Sequence, residues 1–333
     1  MKKSEIIAKI LGQRLFSAPA NSLGRAFAPS NIALCKYWGK RDSELNLPVT
    51  SSLSISLGNK GSECSIQVRE EPVDHFTLNG TVMDLASTFS RRLSTYLDLF
   101  RQPKQSFAVA MQMNIPIAAG LASSACGFAS LVLALDKLFG WNLSNRELSI
   151  LARLGSGSAC RSIIPGFVEW QAGQQADGMD SYADLFADKW PGLCLGLFIL
   201  NAQAKPLSSR EAMEQTRASS IFYPNWPDKV ATDLLLIKQA ITERNFPLLG
   251  STAESNALSM HALMLSAWPP ISYTLPETLS AMHKIWQLRR EGVEVYFTQD
   301  AGPNLKLLYL EKERDVILQH FPRLDELRQD LQD

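Results

Sequence analysis

The segment Ala118-Ala-Gly-Leu-Ala-Ser-Ser124 sets small residues and two hydroxyls, Ser123 and Ser124, where an apolar periodicity of three and four begins. The free N–H groups and positive dipole end of a helix start favour anions, and small side chains let backbone approach a ligand. The turn therefore suits nucleotide phosphates. It has neither the Gly-Lys-Ser/Thr ending of a Walker A loop nor the Gly-x-Gly-x-x-Gly spacing of a dinucleotide fingerprint. Taken alone, it reads equally well as a plain helix cap.

Four other segments carry groups of similar chemistry. In Lys36-Tyr-Trp-Gly-Lys-Arg41, three cations stand beside Tyr37 and Trp38. Such a partly desolvated cationic wall, with Lys36 and Lys40 in it, suits a multiply charged small anion. Gly155-Ser-Gly-Ser-Ala-Cys-Arg-Ser162 reads as a flexible hydroxyl-rich loop bearing Ser156, Ser158 and Arg161. The planar fork of an arginine grips carboxylate or phosphate through two bonds. Ser208-Ser209-Arg210, after Lys205, offers more donors or caps a helix. Asp300 ends a strand before Ala301-Gly302-Pro303, a context in which a carboxylate also serves as a turn residue. His75, His261, His283 and His320 share no ligand spacing and read as structural or surface residues, and no Gly-x-Ser-x-Gly elbow is present.

The elements that must position these groups follow from periodicity. Leu53–Leu57 and Glu63–Arg69 alternate with period two and predict two half-buried strands. Asn79-Gly80 predicts a hairpin turn, and helical spacing runs from Asp84 to Phe100. A strand through Phe107 and Met113 leads into the 118–124 turn and an amphipathic helix stopped by Gly140. Ser144-Asn-Arg-Glu147 is a capping box for a second helix ending at Gly155. After Trp190-Pro191-Gly192 come a strand at Leu193–Leu200, helices at Asp228–Thr242 and Glu277–Arg290, a strand at Val293–Thr298 and a C-terminal helix. Residues 1–26 form a short helical or loose lead-in. This predicts two closely packed lobes, residues 1–190 and 191–333.

Length and composition agree with that plan. The chain has 333 residues, of which 46% are hydrophobic, enough for one or two cores. Lys plus Arg and Asp plus Glu number 33 each, so no global basic field draws the protein to nucleic acid or anionic membrane. Cys35, Cys64, Cys126, Cys160 and Cys194 form no CxxC pair and read as buried thiols of a reducing cytosol. The charged N-terminus lacks the apolar run of a signal peptide, and no stretch is long enough for a membrane span.

Taken in order, Ala28-Pro-Ser-Asn-Ile-Ala-Leu-Cys-Lys-Tyr-Trp-Gly-Lys-Arg-Asp42, Ala118–Ser124, Gly155–Ser162, Ser208-Ser-Arg-Glu211 and Asp300-Ala-Gly-Pro-Asn304 resemble the signatures of the diphosphomevalonate decarboxylases, within the GHMP kinase superfamily. The resemblance runs from about Ala28 to the C-terminus. It implies an α+β, two-lobed fold: an N-terminal, ATP-binding lobe like ribosomal protein S5 domain 2 and a C-terminal ferredoxin-like sandwich. It implies ATP and Mg2+, phosphorylation of the 3-hydroxyl of mevalonate 5-diphosphate, and loss of phosphate and carbon dioxide. Asp300 would be the catalytic carboxylate, Lys36 would offset charge beside it, and Arg161 would clamp the substrate carboxylate. Tyr37, Lys40, Ser156, Ser158, Ser209 and Arg210 would hold the diphosphate. Gly120, Leu121, Ala122, Ser123 and Ser124 would face ATP, with Ser123 and Ser124 toward magnesium. A cytoplasmic homodimer is the expected setting.

Ile117 stands where the family pattern usually has Thr and Cys126 where it usually has Ala, and neither change removes a proposed catalytic group. A monophosphate decarboxylase, a GHMP small-molecule kinase without decarboxylation and a non-catalytic ligand sensor on the same fold remain open at this point.

Overall fold

The computed structural model describes residues 1–115, 123–201 and 207–328. Helix α1 (Lys3–Leu11) and a 3-10 turn at Gly12–Arg14 lead into the first half of the chain. There follow β1 (Gly24–Cys35), β2 (Lys40–Asp42), β3 (Leu47–Pro48), β4 (Ser52–Arg69), β5 (His75–Leu78), β6 (Thr81–Val82), α2 (Thr88–Leu97), β7 (Ser106–Met113), α3 (Ser123–Phe139), α4 (Asn145–Gly155), β8 (Phe167–Trp170) and β9 (Ala183–Ala187). The second half contains β10 (Leu193–Phe198), α5 (Ser209–Ser219), α6 (Trp226–Glu243), α7 (Phe246–Leu265), α8 (Pro276–Arg290), β11 (Val295–Gln299), β12 (Leu305–Leu310), α9 (Arg314–His320) and β13 (Asp325–Arg328).

Among the described residues, a seven-stranded sheet runs β6-β5-β7-β4-β8-β9, with β1 paired to β4. A four-stranded sheet runs β11-β12-β10-β13. Strand β4 is the backbone of the larger sheet. Its first half pairs with β8, its second half with β7, and β1 lies along both. Leu53–Leu57 and Glu63–Arg69 are thus one strand rather than two. Residues 53–57 are buried on both faces, and helices of both halves, α3 and α6, pack against β4.

Helix α3 lies on β1 and β4, and α6 and α7 from the second half pack against β1. One continuous core, from Ile6 through Phe128 to Tyr296, therefore crosses between the two halves. A separate core under α8 gathers Met282, Ile285, Phe297 and Tyr309. The two halves are closely packed, as the absence of a linker predicts.

Local signals held where turn chemistry was explicit. Asn79 and Gly80 both have positive φ in the β5–β6 hairpin. Gly140 is left-handed at φ 63°, and the Ser144–Glu147 capping box starts α4. Two further expectations need correction. The 155–162 segment, expected as a flexible hydroxyl-rich loop, is a largely buried 3-10 helix at Gly157–Ser162. The C-terminal helix is the short α9, and β13 follows it to pair with β10. Helix α7 and strand β12 were not foreseen, because α7 is buried around most of its circumference and shows little amphipathic contrast.

The lead-in is a packed element. Ile6, Ile7, Ile10 and Leu11 of α1 are buried in the main core. Arg14 donates to the Trp141 carbonyl at 2.7 Å, and Lys9 pairs with Asp177 at 2.8 Å. All five cysteines are free and buried. No helix among the described residues is long and apolar enough to cross a membrane.

Candidate active site

A cavity of about 630 Å³ opens between the two sheets. The end of β1, the 3-10 helix after α4, the start of α5 and the turn after β11 all reach it. Lys36, Tyr37, Lys40, Ser124, Ser156, Ser158, Arg161, Ser209, Arg210 and Asp300 line it together. Every sequence-predicted site residue whose side chain is described lies in this one cleft. Gly120, Leu121, Ala122 and Lys205 lie outside the described residues, and Ser123 is described only as the first residue of α3.

The acid sits at one end. Asp300 follows β11, and its Oδ1 lies 2.7 Å from Lys36 Nζ and its Oδ2 3.1 Å from Lys306 Nζ. The lysine side chains are 2% and 1% exposed, while Asp300 keeps 24% open toward the cavity. Burial alone would raise the Asp300 carboxyl. Lys306 and Lys36 outweigh it and hold the group well below the usual carboxylate range. Asp300 is therefore an ionised acceptor facing the cleft, its charge balanced from behind.

Lys36 is fixed from two directions. Its Nζ also donates to the Ala33 carbonyl at 2.7 Å, and its backbone N–H donates to Asn256 Oδ1 at 2.8 Å. Asn256, on α7, donates in turn to Asp233 Oδ2 at 2.7 Å, and Asp233 is paired with Lys229. His261 Nε2 donates to the Asp300 carbonyl at 3.1 Å, which requires the tautomer with the proton on Nε2. Burial pushes the His261 imidazole down to about 4, so it stays neutral at physiological pH. His261 is thus a buried structural residue, in keeping with its lack of ligand spacing, and the structure it supports is the Asp300 turn.

Arg161 projects from the 3-10 helix and is buried. Nε donates to Ser54 Oγ (3.1 Å), Nη1 to Ser52 Oγ (2.5 Å) and Nη2 to Asn31 Oδ1 (3.4 Å). These partners are neutral, so the guanidinium keeps its charge for a ligand in the cavity. A register shift in β1 between Pro29 and Asn31 aims Asn31 into this corner. The Tyr37 hydroxyl is buried without a hydrogen-bond partner among the described residues, a cost that a bound oxygen would relieve.

The other end of the cleft is cationic. Lys40 donates to Asn46 Oδ1 at 2.7 Å, and Asn46 donates to the Arg153 carbonyl at 2.9 Å. Gly39 delivers Lys40 through φ 126°, and a Cβ there would lie 1.8 Å from the Tyr223 hydroxyl, so only glycine serves. Burial, then Arg210, Lys3 and Arg92, push Lys40 down to about 8, with Glu214 opposing them. Ser208 caps α5 in a capping box with Glu211, leaving Ser209 and Arg210 on the first turn facing the cavity. The cap reading of this segment holds, and Ser209 and Arg210 line the cavity beside it. Ser124 Oγ lies 3.5 Å from Ser156 Oγ, joining the start of α3 to this wall.

Sequence reasoning missed Lys306, Asn256, Asn31, Asn46 and Arg92. Lys306 follows Asp300 by six positions across a turn, a spacing with no meaning until β11 and β12 pair. Arg92 lay on the predicted α2, but nothing in periodicity says that it reaches the cleft, where it donates to the Gly155 carbonyl at 3.4 Å and lies over the Phe128 ring.

Family models match two stretches of the chain. Residues 28–183 match a diphosphomevalonate decarboxylase-like N-terminal domain, and residues 196–332 a mevalonate 5-diphosphate decarboxylase C-terminal domain. The diphosphomevalonate decarboxylase of Aspergillus fumigatus is 37% identical over 314 residues, covering 87% of this chain and 77% of the relative. The crystal structure of mevalonate diphosphate decarboxylase from Staphylococcus aureus superposes with a TM-score of 0.85 at 34% identity, covering 92% of this chain and 95% of that one. The solved complex of MDDEF with MVAPP, AMPPCP and magnesium gives 0.83 at 38% identity, covering 91% and 95%. With an ionised acid between two lysines, a buried arginine and a cationic wall converging in a cleft of that two-lobed GHMP fold, the chain belongs to the diphosphomevalonate decarboxylase family.

Proposed function

We propose that this protein converts mevalonate 5-diphosphate and ATP to isopentenyl diphosphate, ADP, phosphate and carbon dioxide. The observation that carries the reading is the placement of Asp300, held ionised by Lys36 and Lys306, in one cleft with the buried Arg161 and the cations Lys40 and Arg210. A small molecule with a tertiary alcohol, a carboxylate and a diphosphate needs those three environments.

In the proposed reaction the Asp300 carboxylate accepts a hydrogen bond from the 3-hydroxyl and takes its proton. The hydroxyl oxygen attacks the γ-phosphorus of ATP, and the bond to ADP breaks. Phosphate then leaves C3 with the C–O electron pair. The C1–C2 pair moves to form the C2–C3 double bond as carbon dioxide departs. Arg161 holds the carboxylate until that step, and Lys36 and Lys306 offset charge without donating the reacting proton. Tyr37, Lys40, Ser156, Ser158, Ser209 and Arg210 hold the diphosphate through charge-assisted hydrogen bonds.

Gly120, Leu121, Ala122, Ser123 and Ser124 are proposed to hold ATP at the start of α3, a helix of 17 residues with Ser124 on the cleft wall. Among the described residues no group of three or more His, Cys, Asp or Glu is placed to hold a metal. Mg2+ suits such a site, since it takes few protein ligands alongside substrate phosphates, here Ser123 or Ser124. Bound there, it would neutralise charge on the transferring phosphates. The related complex, with MVAPP, AMPPCP and magnesium, supports this division.

The reading extends to a cytosolic homodimer, supported in its compartment by five free thiols. It also extends to lobes at 1–190 and 191–333, supported by two sheets that share no strand. The central test is an assay of purified protein with ATP and mevalonate 5-diphosphate, in which ADP and carbon dioxide should appear in equal amounts. ADP without carbon dioxide would make it a kinase, neither product would overturn the catalytic reading, and faster turnover of the monophosphate would reassign the substrate. Light scattering after gel filtration tests the dimer.

A further inference from the structure

The carbonyls of Trp38, Gly39 and Lys40, where β1 turns into β2, are each held. The Gly39 carbonyl accepts from the Val49 N–H at 3.1 Å, within the first half of the chain. Its two neighbours are held from the second half: the Trp38 carbonyl accepts from the Tyr223 hydroxyl at 3.2 Å, and the Lys40 carbonyl from Arg217 Nη1 at 2.9 Å. The β2–β3 ladder offers Lys40 no donor from its register partner, since that residue is Pro48, which has no N–H.

Arg217 lies on α5, seven residues after Arg210. At about 3.6 residues per turn that is two turns, so the two arginines share one face of the helix. From that face Arg210 lines the cavity, and Arg217, outside the lining, reaches the Lys40 carbonyl. Helix α5 is itself fastened to the second half at both ends. Just ahead of it the Tyr273 hydroxyl donates to the Leu207 carbonyl at 2.9 Å, and just after it the Ser220 and Ser266 hydroxyls meet at 2.6 Å. Ala212 and Thr216 are buried between these points.

Lys40 is therefore fixed at both ends, its ammonium by Asn46 from the first half and its carbonyl by Arg217 from the second. Lys40 and Arg210 are like charges lining one cavity, and among charged neighbours Arg210 acts most strongly against the ionised Lys40. A loose turn would let them part in the empty cleft, and an arriving anion would have to draw them back. Fixing them beforehand removes that cost.

We propose that Arg217 is a positioning residue for the diphosphate end of the cleft: from α5 it holds the Lys40 carbonyl, with Tyr223 on the Trp38 carbonyl, so that Lys40 and Arg210 meet the substrate as one preset pair. This rests on the functional reading above for the identity of the substrate, but not for the coupling of Arg217 to Lys40.

The test is a double-mutant cycle on the full-length protein, read by isothermal titration with inorganic diphosphate, which needs no turnover. Arg217→Met keeps an unbranched stem and removes the donor, and should weaken diphosphate binding by roughly threefold to tenfold. Lys40→Gln should weaken it too, and adding Arg217→Met to Lys40→Gln should cost little more, because Arg217 acts through Lys40. Arg217→Lys, which keeps a charge and a donor, should recover part of the loss. Tyr223→Phe, which removes only the hydroxyl bonded to the Trp38 carbonyl, should couple to Lys40→Gln in the same way. In the decarboxylation assay Arg217→Met should raise KM for mevalonate 5-diphosphate by a similar factor with kcat nearly unchanged, since Asp300 and Lys36 keep their contacts. Unchanged diphosphate binding in Arg217→Met, or losses that add in full in the double variant, would overturn the proposal, because Arg217 would then act by its own charge or through the fold at large. A coupled cycle in a protein that releases no carbon dioxide would leave the positioning role standing and overturn the substrate reading.

Discussion

Lys36 and Asp300 are 264 positions apart in the chain and 2.7 Å apart in the fold, and the pair joins the end of β1 to the turn after β11. The contact closes the cleft between the two sheets at the point where the proposed proton transfer occurs. Lys306 approaches the other oxygen, so the carboxylate is gripped on both sides while its open edge faces the cavity.

Replacing Asp300 by Asn should lower kcat by roughly 10²- to 10⁴-fold while changing KM by only a few-fold, because the proton acceptor is lost and the shape is kept. It also leaves two buried lysines without their counter-charge. Breaking a buried pair costs about 3–5 kcal/mol, and a melting curve should show part of that loss. A near-normal rate in this variant would remove Asp300 from the chemistry.

Arg161→Lys should raise KM for the substrate by roughly tenfold or more. A lysine ammonium cannot reproduce the fork that meets Ser52, Ser54 and Asn31 while still facing the cavity. Steady-state kinetics check this. An unchanged KM would mean that the substrate carboxylate lies elsewhere.

The alkaline limb of substrate binding should be set by Lys40. Its folded-state value is lowered to about 8, so in the free enzyme its charge is present below that pH and lost above it. KM for the diphosphate should rise as pH passes about 8, and Lys40→Arg should flatten the rise. Because the folded value lies below the unfolded one, the charged Lys40 costs the apo fold stability below about pH 8. That cost is relieved as pH rises toward the ordinary lysine range. A pH-independent KM between 7 and roughly 9.5 would contradict the assignment.

Asn256→Ala tests the support behind Lys36. It removes the acceptor of the Lys36 backbone N–H and a partner of buried Asp233, and should cost about 1–3 kcal/mol by denaturant titration. kcat should fall with it as Lys36 loosens. Asn256→Gln, which keeps an amide acceptor for Lys36 and an amide donor for Asp233, should recover part of the rate; loss of stability with a fully normal kcat would confine Asn256 to the fold.

Gly39→Ala should be poorly tolerated, since its Cβ would meet the Tyr223 hydroxyl and φ 126° is strained for any L side chain. The double change Gly39→Ala, Tyr223→Phe should recover stability only in part, leaving the backbone strain. A melting temperature equal to wild type in the single variant would show that the Lys36–Lys40 turn can relax.

What the sequence determined by itself was local. Positive-φ turns at Asn79-Gly80 and Gly140, the Ser144 capping box and the alternation of β7 are set by backbone sterics and by hydrogen bonds spanning a few residues, so residue type and spacing suffice to read them. The five signature segments likewise named most of the cleft, because anion chemistry demands serine, lysine and arginine wherever they come from. Tertiary structure alone decided which of these groups face one another. Burial of α7 erased its amphipathic signal, the pairing of β11 with β12 brought Lys306 onto Asp300, and the packing of α7 against β1 set Asn256 behind Lys36. Those juxtapositions join residues up to hundreds of positions apart, and electrostatic balance depends on distance and burial, which sequence spacing does not encode once the chain has folded back on itself.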